Sequence, residues 1–418
     1  MSSDRHVAIV GAGIVGLCVA DALLARGMRV TVVEREEDPT GGCSYGNGGM
    51  IVPSHFVPLA APGMISMGLR MMLDRQSPFG VERLYDFQTL AWLARFSRAA
   101  CRRHVETCSP LLRDLNVESR DLYESLVARL GVPTGFEKRG LLMLSRTAKA
   151  HHAEAVLAAQ ACRLGLNAVV LDRDDLARKE PGLEMDVVGA VCFEEDAHLT
   201  PSAFMEGLRR LVVEQGGTIL DGAEVCGLRK RGARVESLEL EHESIGADEF
   251  VLAAGAWTGR LAASVGLRLP MLAGRGYGLT VSEPPQRPTI PAILTEARVA
   301  VTPMLDGVRF VGTLELAEPN LIPSPSRVQG MKRSIPLYYP AFEPSHLAGP
   351  VWCGLRPCSP DGMPYIGRTR AASNLVVAAG HAMMGMSLGP ATGKTVSQIV
   401  LGETSRHRLD LLSPDRYA

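Results

Sequence analysis

The stretch HVAIVGAGIVGLCVADALLARGMRVTVVE, residues 6–34, decides the fold. Residues 6–10 are an apolar β run, Gly11-x-Gly13-x-x-Gly16 is a turn, and apolar residues continue at helical spacing to about Arg26. Gly27 stops that helix, and residues 29–34 form a second β run. Strand, glycine turn, helix and strand in this order open a doubly wound α/β unit. Each glycine has a use: a tight turn, close approach of the backbone to a pyrophosphate, and tight packing of helix on strand. The helix N-terminus offers amide donors to phosphates. Glu34, ending the second strand, is placed to accept from a ribose hydroxyl, and its carboxylate disfavours the 2′-phosphate of NADP. These residues leave FAD and NAD both open.

The apolar run 7–25 is neither a membrane span nor a signal peptide, because it contains three glycines and Asp21 and lacks a cleavage pattern. The 418 residues suggest two or three cores at about 150 residues each. The 44 Lys+Arg nearly balance 45 Asp+Glu, so no basic field draws nucleic acid and there is no acidic tail. The nine cysteines form no C-x-x-C pair or Cys/His cluster, which argues against a disulfide framework or a metal site and favours a reducing cytoplasm.

Residues 39–63 read as an irregular but ordered loop, and 85–130 and 147–165 as helices. Short strands are expected at 140–144 and 189–193, a helix at 201–214, a strand at 218–221 and a meander through Glu241. The apolar strand 250–254 re-enters the nucleotide unit, 272–316 reads as antiparallel sheet, 375–379 as a last buried strand, and a helix follows from about Pro390. The chain therefore divides into a nucleotide domain of 1–85, 195–262 and 350–418 and a substrate domain of 86–194 and 263–349.

Val251-Leu-Ala-Ala-Gly-Ala-Trp257 tips the balance toward FAD, since an apolar strand ending in A-A-G-A-W resembles the second dinucleotide-contacting strand of glutathione-reductase-type FAD proteins. Four segments, 7–17, 43–51 (C-S-Y-G-N-G-G-M-I), 253–257 and 354–367 (G-L-R-P-C-S-P-D-G-M-P-Y-I-G), closely resemble the D-amino-acid oxidase and dehydrogenase family, which includes glycine and sarcosine oxidases. The resemblance covers nearly the whole length. The S-x-x-N-x-G form of 44–49, followed by Ile-x-Pro, is most similar to bacterial D-amino-acid dehydrogenases.

The resemblance implies an α/β fold with an α+β second domain: a glutathione-reductase-type FAD-binding Rossmann domain and an antiparallel-sheet substrate domain, each discontinuous in sequence. It implies that FAD is held by Gly11, Gly13, Ile14 and Gly16 at the first turn, by Glu34 and Arg35, and by Ser44, Asn47, Gly48 and Met50 under the flavin. Val225 would also contact it, as would Ala254, Gly255 and Trp257 at the end of the second contacting strand, Gly354, and His381, Met384, Gly385, Met386 and Ser387 of the C-terminal flavin loop. Ser44 and Asn47 equally suit a local Ser or Asx turn. Cys353 and Cys358 lie near the place where sarcosine oxidase attaches its flavin, but outside that pattern, so non-covalent FAD is expected.

Arg356 falls at the family's arginine for the substrate carboxylate, where its planar fork matches two parallel hydrogen bonds and orients Cα–H toward flavin N5. Tyr277 is either a pocket hydroxyl or a core tyrosine, and Arg309 and His55 are further polar candidates. Asp361 reads as structural, and His381 as a packing or hydrogen-bonding residue rather than a base. The family's frequent G-H-G appears as Gly380-His381-Ala382, which bears on oxygen access to the ring.

The implied activity is oxidation of a small amino or imino acid to its imine, with D substrates favoured and D-proline or hydroxy-D-proline among them. Electrons would leave to a quinone or to oxygen, with peripheral contact at the inner face of a membrane in the quinone case. A glycine or sarcosine oxidase and a non-catalytic FAD subunit are the alternatives. An NAD dehydrogenase is disfavoured, because the A-A-G-A-W strand and the C-terminal loops would have no role in it.

Overall fold

The computed structural model describes residues 5–82, 84–317 and 319–418. Its first sheet has six strands in the order Tyr365–Thr369, Ala372–Ala379, Glu249–Leu252, His6–Val10, Arg29–Val33 and Thr218–Leu220. All neighbours run parallel except the first two, which form a hairpin. The central strand His6–Val10 is buried along its whole length, as a parallel strand covered on both faces requires. A three-stranded antiparallel meander, Gly227–Arg231, Arg234–Glu239 and Ser244–Gly246, lies in the same half.

The second sheet is mostly antiparallel. Its order is Trp352–Cys358, Leu272–Val281, Gly307–Ala317, Val299–Met304, Ala292–Leu294, Leu141–Ser145, Gly189–Phe193 and Ala168–Leu171. The link between Ala292–Leu294 and Leu141–Ser145 is parallel, and Phe79–Val81 pairs in parallel with Gly307–Ala317. The architecture is thus the α/β unit with a second, antiparallel unit that the sequence predicts.

Pairing and packing move three boundaries. Phe79–Val81 and Trp352–Cys358 lie in segments expected for the nucleotide domain, yet both pair into the second sheet. The helix Arg102–Leu130 lies in a segment expected for the substrate domain, yet Leu112, Leu115 and Tyr123 are buried in the core beneath the six-stranded sheet. Chain position misleads here because unpaired strand edges and long apolar helix faces are placed by what buries them.

The last helix runs Gly385–Leu401, five residues earlier than expected from Pro390. Proline favours a helix start, and within a helix it frees the carbonyl four residues before it. That carbonyl belongs to Met386, and the Tyr123 hydroxyl donates to it in place of the missing amide. Among the described residues four helices escaped the sequence reading, Met64–Met72, Arg173–Lys179, Thr258–Ala263 and Pro325–Tyr338. The loop 39–63 is irregular as expected, and it is ordered by burial of Ile51, Val52, Phe56 and Ala60.

No helix among the described residues is long and apolar enough to cross a membrane, and no group of His, Cys, Asp and Glu among them could hold a metal ion.

Candidate active site

A cavity of about 440 Å³ opens at the C-terminal ends of the strands His6–Val10, Arg29–Val33 and Glu249–Leu252. Its walls include Gly11, Gly13, Ile14, Glu34, Arg35, Ser44, Asn47, Val225, Ala254, Gly255, Trp257, Gly354, His381, Gly385 and Met386. Gly16 is absent from the wall because its use is packing: a Cβ there would fall 1.9 Å from the Gly11 carbonyl oxygen. Gly11 itself has a φ of +102°. The helix Ile14–Leu24 receives no side-chain cap from Gly13; Ser44 supplies one from the loop, its Oγ accepting from Ile14 N–H at 2.9 Å.

Glu34 accepts from Ala12 N–H at 2.8 Å with one oxygen and from Glu36 N–H at 3.2 Å with the other, which leaves lone pairs for a ribose hydroxyl. The Arg35 guanidinium carbon lies over the Trp257 ring, 4.2 Å from its centroid, in the cavity wall. The glycine cradle, the helix N-terminus and the strand-end acid together fit an adenine dinucleotide.

His381 is buried, with Nε2 3.0 Å from Thr392 Oγ1, and burial lowers its pKa to about 4. It is a neutral hydrogen-bonding residue. Ala382 beside it has a φ of +48°, the left-handed region that glycine adopts with least strain.

A second cavity of about 560 Å³ adjoins the first, and Cys43 and Asn47 line both. Gly48, Met50, His55, Met384 and Arg356 line it, together with Thr313, Trp352 and Arg298. Met64, Met67, Met71 and Met72 of the helix Met64–Met72 give it an apolar wall.

Strand parity explains how Arg356 enters. Side chains two apart share a face, so Gly274, Gly276 and Gly278 lie on the same side as Trp352, Gly354 and Arg356 of the paired strand. The three glycines leave room there: a Cβ on Gly276 would fall 2.1 Å from Arg356 Nη1. That nitrogen donates to the Thr313 carbonyl at 2.5 Å. Thr313 sits at a register shift of the strand pair with a φ of +67°, a strained conformation for a β-branched residue. Arg356 has no ion pair among the described residues, and burial pulls its pKa below the usual value, although a guanidinium stays charged. A charged fork without an ion pair among the described residues, at the edge of an apolar cavity, has the geometry to donate two parallel hydrogen bonds to a planar anion.

Besides Gly16, three expected site residues stand outside both cavities. Tyr277 has the opposite parity to the glycines and is fully buried, donating to Glu315 at 2.6 Å and accepting from Ser324 N–H at 3.1 Å. Burial and the Glu315 bond raise its phenol above the ordinary range. Arg309 faces the loop instead of the cavity, donating to the carbonyls of Tyr45 at 2.9 Å and Asn47 at 3.0 Å and to Thr280 Oγ1 at 3.1 Å. Ser387 lines neither cavity; its Oγ accepts from Val52 N–H at 2.8 Å and donates to Asn116 at 2.6 Å, tying the loop to the last helix. Asn47 forms an Asx turn, accepting from Gly49 N–H at 2.8 Å, and so holds the shape of the shared wall.

Sequence reasoning missed Cys43, Thr313, Trp352, Arg298 and the methionine wall. Among the described residues, the non-glycine residues with positive φ are Arg298, Thr313 and Ala382, and every one of them borders a cavity. Strain of this kind gathers where a site dictates geometry.

The chain is 29% identical to a D-amino-acid oxidase of Bradyrhizobium diazoefficiens, with 100% of both chains covered. It is 25% identical to a D-amino acid dehydrogenase of Helicobacter pylori, with 98% of each covered. Its fold is similar to that of glycine oxidase from Geobacillus kaustophilus, with a TM-score of 0.78, 21% identity and 100% of both chains covered. Residues 6–399 match the family model described as FAD dependent oxidoreductase, and the chain belongs to that family.

Proposed function

We propose that the protein oxidises a D-amino acid or cyclic imino acid to its imine, with Arg356 holding the substrate carboxylate. The observation that carries this reading is the unpaired Arg356 fork, packed on Gly276, tied to the Thr313 carbonyl and lining the cavity that adjoins the nucleotide cavity. Two hydrogen bonds to a carboxylate fix the substrate in the plane of the guanidinium, and the methionine wall would shelter its side chain from water. FAD, when bound, supplies the acceptor for the Cα hydrogen and its electron pair.

The D configuration is supported by the two curated relatives, a D-amino-acid oxidase and a D-amino acid dehydrogenase. The apolar lining favours a neutral side chain over a charged one. The electron acceptor is a quinone or oxygen, and in the quinone case the protein would touch a membrane surface. All nine cysteines are free, which suits a reducing cytoplasm.

The test is anaerobic mixing of the FAD-loaded protein with D- and L-amino acids, proline, hydroxyproline, glycine and sarcosine, following loss of the flavin's visible absorbance. Rapid loss with neutral D-amino acids is the expected result. No loss with any of the panel, with FAD demonstrably bound, would overturn the reading.

A further inference from the structure

The oxidation proposed above needs a neutral amine, because the nitrogen lone pair must move toward Cα as the hydrogen and its electron pair leave. An α-amino acid arrives with an ammonium group, so a proton has to go somewhere.

The cavity wall holds a titratable group suited to take it. His55 lines the cavity shared with Arg356, and its backbone N–H donates to the Val52 carbonyl at 2.9 Å, which fixes the turn. Its Nδ1 lies 3.1 Å from Ser54 Oγ, while no partner among the described residues engages Nε2. Ser54 in turn is bound twice by Asp196: its hydroxyl donates to Oδ2 at 2.5 Å and its N–H to Oδ1 at 3.0 Å. Asp196 is 0% exposed. Of its charged neighbours, Arg120 donates instead to the Glu195 carbonyl at 3.4 Å, so no cation bonds the Asp196 carboxylate.

A buried carboxylate that no cation bonds is costly unless it holds a proton. We propose that Asp196, Ser54 and His55 form a proton relay, in which His55 Nε2 takes a proton from the substrate ammonium and Ser54 and Asp196 position it and carry the proton inward. This rests on the amino-acid reading above.

The step balances without a further reactant. The substrate N–H bond breaks and a bond to His55 Nε2 forms; the Nδ1 proton passes to Ser54 Oγ, and the Ser54 hydroxyl proton passes to Asp196 Oδ2. The imidazole ends neutral, Asp196 ends as a carboxylic acid, and the amine keeps its lone pair. Burial lowers the His55 pKa to about 4. Burial, with Glu195 adding to it, pushes Asp196 up to about 8 against the Ser54 hydrogen bonds and Arg120, so the proton comes to rest on the carboxylate. Below that pH the store is already full, and catalysis should fall.

The experiment is the pH profile of kcat/KM, with the best substrate of the panel, for the FAD-loaded wild type, Ser54→Ala and His55→Gln. Ser54→Ala keeps the backbone N–H bond to Asp196 and removes only the hydroxyl link. The wild type should show a rising limb near pH 8. Both variants should lose it, follow the titration of the substrate's own amine, and fall roughly 10²-fold just above that limb with KM little changed. Rapid flavin reduction in the wild type with an unchanged profile in both FAD-loaded variants would overturn the relay alone. Absence of reduction by any amino acid in the wild type would overturn the amino-acid reading, and the relay with it.

Discussion

The Arg356 guanidinium lies directly over the Cα of Gly276, so that a Cβ there would sit 2.1 Å from Nη1 and 2.3 Å from Cζ. The atoms in the way are the far end of a flexible side chain, so in Gly276→Ala the arginine should yield and the strand should not. Stability should stay within about 0.5 kcal/mol of wild type. With FAD still bound, kcat/KM should fall at least about tenfold, a loss of ~1.4 kcal/mol in transition-state stabilisation. Steady-state kinetics beside urea unfolding measure both, and unchanged kinetics would show that Arg356 does not need this seat.

Ala382 stands at a φ of +48°, where an L side chain is strained. Ala382→Gly should stabilise the apo protein by roughly 1 kcal/mol, the relieved strain less the added freedom of the unfolded chain. A shift of the urea midpoint to lower concentration would contradict this.

Gly13 and Gly16 of the first turn should separate folding from cofactor binding. In Gly16→Ala the new methyl meets the Gly11 carbonyl oxygen at 1.9 Å, where backbone cannot move aside, and the apo fold should lose about 2–3 kcal/mol. At Gly13 a Cβ meets only Ser44 Oγ, at 3.3 Å. Gly13→Val should therefore keep the apo melting temperature and lower FAD occupancy, read as flavin absorbance per mole of protein.

Much of this was legible in the sequence. The order of apolar runs and glycines in 6–34 gives the strand, turn and helix directly, and Glu34 and the strand Glu249–Leu252, expected at 250–254, follow from the same reading of short apolar runs. Tyr277 stays open between pocket and core in the sequence although a sign for the core is present: in Gly274-Arg-Gly-Tyr-Gly278 the glycines alternate, and the face without side chains is the one with room for a neighbour. Arg309 could not be placed this way, because its partners are carbonyls of a loop more than 250 residues away. Thr313 was invisible for another reason: its left-handed backbone comes from a register shift between two strands, and no local residue announces it. The start of the last helix depended on a tyrosine hydroxyl from the helix Arg102–Leu130.

Asp196 carries a pH signature that does not depend on the cofactor. Burial pushes its pKa up to about 8, above that of an unfolded carboxyl, so the folded state binds the proton more tightly. Its contribution is fully present below the unfolded value and is lost as pH rises through about 8. Wild type should lose stability relative to Asp196→Asn between pH 4 and 8 in urea titrations; a constant difference across that window would contradict the shift.

Anaerobic flavin reduction decides whether Arg356 binds the carboxylate of an amino-acid substrate. Wild type and Arg356→Ala, both loaded with FAD, would be mixed with a D-amino acid and with the corresponding amide, which lacks the carboxylate. The wild type should reduce rapidly only with the acid. Arg356→Ala should lose roughly 2–5 kcal/mol of transition-state stabilisation toward the acid and no longer discriminate between the two. Equal reduction rates of acid and amide in the wild type, or an undiminished rate in Arg356→Ala, would contradict it.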